Sequence, residues 1–184
     1  DGNPVNDVFP EQLCQLYNLE SINMTACGLQ GPLPECLGNL NKIQSIKFTA
    51  NEFTGEIPIS WYNLPLEDLI LRSNNLSGQL HDEWNFGAYF SPLNHPHNAY
   101  FREFDIRSNN LSGRIPYDQI IKFHRQTDSY YDTVVKYDFS DNNFTGISTD
   151  PNLSLDDFYL WWFETLFTGN AESNDDIPSA PQLW

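Results

Sequence analysis

Short stretches of alternating apolar and polar residues recur along the whole chain. Over residues 104–116 the stretch reads apolar-x-apolar-x-x-Asn-x-Leu-Ser-Gly-x-Ile-Pro, with Phe104 and Ile106 on one side of the alternation and Asp105 on the other. A period of two is typical of a β-strand that buries one face. The Gly and the Pro that follow supply backbone freedom and end the hydrogen bonding, so a turn is predicted after each strand.

The same stretch repeats in register when its Asn is taken as a marker. The marker positions are Asn3, Cys27, Asn51, Asn74, Asn109, Asn142 and Thr165, and the differences between successive positions are 24, 24, 23, 35, 33 and 23 residues. The apolar residues before the markers predict an inner column of the core: Ile22/Met24, Ile46/Phe48, Leu69/Leu71, Phe104/Ile106, Tyr137/Phe139 and Leu160/Trp162. An Asn amide both donates and accepts, so stacked Asn side chains are expected to hydrogen-bond the buried backbone of neighbouring repeats, at about 1 kcal/mol per bond.

Repeats that end in Leu-Ser-Gly-x-Ile-Pro resemble the leucine-rich repeat of the plant type, found in receptor-kinase ectodomains and polygalacturonase-inhibiting proteins. The resemblance implies an α/β fold, a right-handed solenoid (horseshoe) of about seven coils, with a parallel sheet on the concave face and loops or short helices on the convex face. A single domain over residues 1–184 is expected. Irregular inserts are predicted at 81–100 and 117–133, and a C-terminal tail at 170–184. The aromatic residues of the inserts either cap the widened coils or form a partner-binding bulge.

Three cysteines divide into a pair and a single residue. Cys14 and Cys36 are 22 residues apart where the repeat is 24, so they occupy nearly equivalent places on adjacent coils, and we predict a disulfide between them. The alternative is two free core thiols. A disulfide implies an oxidising compartment, so the chain is expected to be extracellular, either secreted or at the cell surface. Cys27 takes an Asn position and is expected to be a buried thiol.

The net negative charge of the chain excludes some classes of binding partner. The formal net charge is −16, with nine Lys and Arg residues, which argues against nucleic acid and against anionic membrane surfaces. No apolar run is long enough to span a membrane. The chain opens inside a repeat and without a signal peptide, so it is expected to be a mature or excised piece, or one whose first coil is completed by something else.

Five Asn-x-Ser/Thr sequons are candidate sites for covalently attached N-linked glycans. They are Asn23, Asn75, Asn110, Asn143 and Asn152. Three of them arise from the doubled Asn-Asn of the repeat, so these sequons are in part a consequence of the repeat consensus. Asn75, Asn110 and Asn143 are expected in file along one side of the coil, Asn23 on the concave face and Asn152 in a loop.

The polar positions between the buried residues predict the concave surface. The central column is Asn23, Lys47, Ile70, Asp105, Asp138 and Trp161, and the next is Thr25, Thr49, Arg72, Arg107, Ser140 and Phe163. Arg72, Asp105 and Arg107 are candidate binding residues that are able to form cross-strand pairs. The alternative is a solvated salt-bridge lattice. In the last coil Tyr159, Trp161 and Phe163 face outward, and either the tail covers them or they contact another molecule.

No motif for catalysis, a metal or a cofactor is found. There is no Gly-rich phosphate loop, nucleophile elbow or His-Glu-x-x-His, and the His95/His97 pair near His81, Asp82 and Glu83 lacks a specified third ligand.

We expect a non-enzymatic extracellular glycoprotein that acts as a protein-interaction or structural module, with self-assembly head to tail into a fibre as one form of that role. The alternative is a ligand-binding receptor ectodomain or an inhibitor of a secreted hydrolase, as the resemblance implies. An ice-binding face requires flat, regular Thr columns, which the inserts interrupt.

Overall fold

The computed structural model of the protein describes residues 7–81, 102–115 and 136–147 of the 184-residue chain. Five coils of the solenoid lie in these ranges, and each contributes one strand to each of two parallel sheets. The first sheet has the order β1-β3-β5-β7-β9, and its strands are Ser21–Asn23, Ser45–Lys47, Asp68–Ile70, Glu103–Asp105 and Lys136–Asp138. This sheet confirms the solenoid that the repeats predicted.

A second sheet takes the place of some of the predicted loops. Its order is β10-β8-β6-β4-β2, and the strands are Gln30–Pro32 (β2), Glu52–Gly55 (β4), Asn75–Gln79 (β6), Asn110–Ile115 (β8) and Asn143–Ile147 (β10). The Leu or Phe of each motif ending points into the core and its neighbours point outward, which is again a period of two. The convex side carries three short 3₁₀ helices, Glu11–Gln15 (η1), Glu35–Asn39 (η2) and Ile59–Trp61 (η3).

The predicted Asn ladder is present in the described coils. Asn74 Oδ1 accepts a hydrogen bond from the Phe53 amide of the preceding coil at 3.1 Å. Its Nδ2 donates to the carbonyl oxygens of Phe48 and Leu71, each at 2.9 Å. Asn51, Asn109 and Asn142 bond their own neighbours in the same way. These amides therefore satisfy backbone groups that the bend would otherwise leave buried and unbonded.

The bend itself depends on a conformation that the repeat pattern did not predict. The residue immediately before each described marker has a positive φ, between 52° and 57°, although it is Ala, Ser or Asp rather than Gly. This left-handed conformation turns the chain between the two sheets. Gly78 has a φ of 86°, which favours glycine, and an added Cβ would lie 2.5 Å from Glu56 Cγ, so the exposed Glu56 side chain would have to shift.

One continuous core fills the coils. The predicted inner column is buried throughout the described coils except for Met24, which is half-buried, while Leu160 and Trp162 lie outside the described residues. Phe48 lies near its centre, with ring centroids 5.2 Å from Phe53 and 6.4 Å from Trp61. Trp61 Nε1 donates to the Pro34 carbonyl oxygen at 3.1 Å, so the convex helices are fixed to the same core.

The cysteines lie as the repeat spacing predicted. Cys14 in η1 and Cys36 in η2 form a disulfide that joins two adjacent coils on the convex side. Cys27 is a buried free thiol at an Asn position, and its Sγ donates to the Thr25 carbonyl oxygen at 3.6 Å. The insert 117–133 and the tail 170–184 lie outside the described residues, as does the insert 81–100 beyond His81.

Candidate binding surface on the concave face

The first sheet places the predicted columns side by side. Its registers pair Asn23 with Lys47, Lys47 with Ile70, Ile70 with Asp105, and Asp105 with Asp138. Because adjacent parallel strands lie about 4.8 Å apart, side chains of one column are within reach of their neighbours. The register of the central column is therefore confirmed for every member within the described residues, although Ile70 and Asp105 are buried and not part of the exposed surface.

The structure brings the three candidate residues Arg72, Asp105 and Arg107 together. Arg72 Nη1 lies 3.5 Å from Asp105 Oδ2, and Arg107 Nε lies at the same distance from that oxygen. Arg107 Nη1 extends to the next coil and donates to Asp138 Oδ2 at 2.8 Å. A line of alternating charges thus crosses three strands, β5 to β9.

Asp105 is the buried centre of this line, at 1% exposure. Its Oδ1 accepts a hydrogen bond from the Arg107 amide at 3.2 Å, whereas its Oδ2 has ion-pair neighbours but no hydrogen-bond donor among the described residues. Burial raises the pKa of the Asp105 carboxyl above its ordinary value of 3.8, and the Arg107 amide and the two guanidinium groups offset this only in part. A carboxylate that is costly to ionise is therefore held between two cations.

The two arginines remain accessible above that carboxylate. The side chains of Arg72 and Arg107 are 39% and 34% exposed. Burial lowers the pKa of the Arg107 guanidinium, but the carboxylates of Asp105 and Asp138 outweigh this and raise it overall. The N–H donors of the two guanidinium groups that are not directed at Asp105 or Asp138 are available to a partner's oxygen atoms.

A second charged cluster lies one coil earlier and was missed from sequence. Asp68 Oδ2 is 3.3 Å from Lys47 Nζ and 2.9 Å from Arg102 Nη2, and it accepts a hydrogen bond from Ser45 Oγ at 3.3 Å. Arg102 Nε also lies 3.3 Å from Glu67 Oε2. The available signal was a third polar column, at the first position of each strand, to which Ser45 and Asp68 belong.

Four of the predicted glycosylation residues lie within the described chain. Asn75, Asn110 and Asn143 are exposed and begin three strands of the second sheet, and Asn143 Nδ2 donates to Asn110 Oδ1. Asn23 is exposed on the concave face, and its Oδ1 accepts from the amide and the hydroxyl of Thr25 at 3.1 and 2.8 Å. Asn152 lies outside the described residues.

The other predicted features fall mostly outside these ranges. The aromatic residues Tyr159, Trp161 and Phe163 are not among the described residues, nor are His95 and His97. In residues 7–81, 102–115 and 136–147, no three His, Cys, Asp or Glu side chains are grouped to hold a metal ion. Within the same ranges, no helix has the length and apolar character to cross a membrane.

Comparison with known proteins agrees with the repeats. Residues 18–40 match the Leucine Rich Repeat family. The chain is 36% identical over 63 residues to Receptor-like protein 31 of Arabidopsis thaliana, which covers 33% of this chain and 7% of that protein. It is 30% identical over 79 residues to Protein STRUBBELIG-RECEPTOR FAMILY 3 of the same plant, covering 43% of this chain and 10% of that protein. The matched regions are thus a small part of each relative.

Solved structures share the architecture. The ectodomain of the Arabidopsis receptor kinase HAESA, in complex with an extended IDA peptide hormone ligand, superposes with a TM-score of 0.64 at 25% identity, covering 89% of this chain and 27% of that chain. A plant ice-binding protein superposes with a TM-score of 0.62 at 23% identity, covering 90% and 46%. The second likeness shows the fold alone.

Proposed function

Because the chain belongs to the leucine-rich-repeat proteins of the plant type, we propose that it is an extracellular, non-enzymatic protein-interaction module. Its concave face binds a segment of a partner protein. The observation that carries this proposal is the pair Arg72 and Arg107, which is exposed to solvent yet fixed by Asp105 and Asp138. The peptide-bound HAESA ectodomain supports a protein or peptide as the class of partner.

The arrangement suits recognition because its cations are held in place before a partner arrives. Arg107 is anchored at Nε and Nη1 by two carboxylates on adjacent strands. A fixed side chain loses less conformational entropy on binding than a free one. Guanidinium donors match carbonyl and carboxylate oxygens, so the bound segment is expected to present such oxygens along the face.

Extracellular location and N-glycosylation belong to the same proposal. The Cys14–Cys36 disulfide supports an oxidising compartment. The exposed sequons at Asn75, Asn110 and Asn143 lie on the second sheet, away from the two arginines. Glycans there would leave the concave face open. Peptide mass spectrometry of protein secreted by a eukaryotic host is expected to find at least two sequons modified.

Two further roles stay predictions. Head-to-tail assembly depends on contact between the first ten residues and the coil of Tyr159, Trp161 and Phe163, and that coil lies outside the described residues. Inhibition of a secreted hydrolase requires a target that the concave face does not identify. Sedimentation velocity over a hundredfold concentration range tests the first role, because a binding module is expected to remain a monomer, whereas an assembling protein forms larger species as its concentration rises.

The binding proposal is tested by selecting peptides from a displayed random library on the purified protein. The selected peptides are then titrated against the wild type, the Arg72→Ala/Arg107→Ala variant and a control, Lys42→Ala/Arg114→Ala. The control removes two exposed cations outside the concave strands, so both variants have the same net charge. Affinity is expected to fall about tenfold for the concave variant alone. Equal affinities for the two variants, or a selection that enriches nothing, would overturn the proposal.

A further inference from the structure

A groove of about 1140 Å³ crosses the first three described coils on the side away from the concave sheet. Its floor includes Phe9, Leu33 and Ile57, which precede a Pro at equivalent positions of successive coils and are all buried. Its walls come from the second sheet and from the 3₁₀ helices η1 to η3. The groove is therefore a product of coil stacking, and no single repeat contains it.

Two large apolar side chains stand exposed in this groove. Val8 and Ile59 are each 60% exposed, and both line it. Exposed apolar side chains around a groove with an apolar floor are typical of a contact surface. They would be covered by an apolar side chain of an occupant.

Three of the described residues that line the groove are glutamates. Glu11 and Glu35 line it at equivalent positions of adjacent coils, each one residue after a Pro, and neither forms an ion pair with any described residue. Glu56 lies in the same groove, where Oε2 is 4.0 Å from Nε2 of the exposed His81. Among the described residues that line the groove there is no Lys or Arg. Like charges placed side by side repel each other unless a cation is supplied from outside.

We propose that this groove binds a cationic segment of a different protein, one in which Lys or Arg residues alternate with apolar residues. The apolar side chains would lie against Val8 and Ile59, and the cations would pair with Glu11 and Glu35. A second copy of the chain is a poor occupant because its net charge is −16. The chain's own residues 170–184 are poor for the same reason, since they contain three carboxylates and no Lys or Arg.

The Cys14–Cys36 disulfide gives the groove a fixed wall. It joins η1, which carries Glu11, to η2, which carries Glu35, and Cys36 itself lines the groove. The backbone positions of Glu11 and Glu35 are therefore fixed on adjacent coils before any partner arrives, which limits the backbone entropy lost on binding. This surface is separate from the concave face, so the inference does not depend on the function proposed above.

The test is a calorimetric titration of the full chain with a defined probe at physiological ionic strength. The probe is acetyl-Lys-Leu-Lys-Leu-Lys-amide (the leucine probe). The matched control peptide is acetyl-Lys-Ser-Lys-Ser-Lys-amide (the serine probe), which has the same charge without the apolar side chains. The protein variants are Glu11→Gln/Glu35→Gln and the control Glu20→Gln/Glu52→Gln. Each removes two exposed carboxylates, but only the first pair lies in the groove.

The leucine probe is expected to bind the wild type more tightly than the serine probe does. The affinity for the leucine probe is expected to fall about fivefold in E11Q/E35Q and to remain unchanged in E20Q/E52Q. The variant V8S/I59S, which changes only exposed side chains, is expected to weaken the leucine probe about tenfold and leave the serine probe unaffected. Equal loss in the two glutamine variants would show attraction to net charge alone and overturn the inference. Equal binding of the two probes, or no binding of either, would also overturn it.

Discussion

Arg107, two residues after β7, donates a hydrogen bond from Nη1 to Oδ2 of Asp138 in β9 at 2.8 Å. The paired residues of β7 and β9 are 33 positions apart in the chain. The interaction joins two coils that are separated in sequence by the predicted insert 117–133. A double-mutant cycle with Arg107→Ala and Asp138→Ala is expected to give a coupling of about 1 kcal/mol in the free energy of unfolding, because the pair is only partly shielded from water. Urea denaturation of the four proteins measures it, and a coupling indistinguishable from zero would contradict the pairing.

Asp105 makes the stability of the protein depend on pH in an unusual direction. Its carboxyl pKa is raised in the folded state by burial, so the folded protein holds this proton more tightly than the unfolded chain does. The contribution of Asp105 to stability therefore falls as pH rises through the window between its ordinary value of 3.8 and its raised folded value. Above that window the carboxyl is ionised in both states, and its ionisation is then a cost to the fold.

Asp105→Asn is expected to raise the free energy of unfolding at pH 7 by about 1 kcal/mol, because it removes a buried charge and keeps an oxygen for the Arg107 amide. That advantage should shrink as pH falls through the window between the raised folded pKa and the ordinary value of 3.8, because the wild-type carboxyl takes up its proton there. Asp138→Asn is the matched control, since it removes the same charge from the next coil and should lower stability by breaking the Arg107 bond. Denaturation curves from pH 4 to 7 distinguish the two, and a D105N variant less stable than wild type at pH 7 would refute this account.

The Asn ladder predicts a sharp contrast between two adjacent residues. Asn74→Ala leaves the Phe53 amide and the carbonyl oxygens of Phe48 and Leu71 without their side-chain partner. The expected loss is about 3 kcal/mol, because orphaned buried backbone groups are costly. Asn75→Ala, one position later and exposed, should change stability by less than about 0.5 kcal/mol. Comparable losses in the two variants, measured in unglycosylated protein, would argue against the ladder.

The disulfide should contribute to stability through the unfolded state. Cys14→Ser/Cys36→Ser is expected to lower the free energy of unfolding by about 3 kcal/mol, because the bond closes a loop of 22 residues. Reduction of the wild type should have the same effect, whereas the variant should not respond to reductant. If reductant destabilises both proteins equally, the loss comes from something other than this bond.

The repeat period alone determined much of the fold. Residues at equal distances from successive markers must stack, so the sequence predicted the inner column, the Asn ladder, the disulfide and the concave columns. These features depend only on one coil lying on the next, which is local in a one-dimensional stack. Arg72, Asp105 and Arg107 were found for the same reason, since all three belong to the repeating strand.

The second sheet, the left-handed residues before the markers and the Asp68 cluster were decided by the tertiary structure. Asp105 and Asp138 have equivalent positions in the repeat, yet Asp105 is 1% exposed and the Asp138 side chain 19%, because burial depends on the side chains that surround each of them. The groove was likewise decided by packing, because its apolar floor is contributed by three coils and Glu11 and Glu35 lie beside it. A repeat pattern states which residues are neighbours, whereas packing across coils decides which neighbours lose their water and which charges lack a partner.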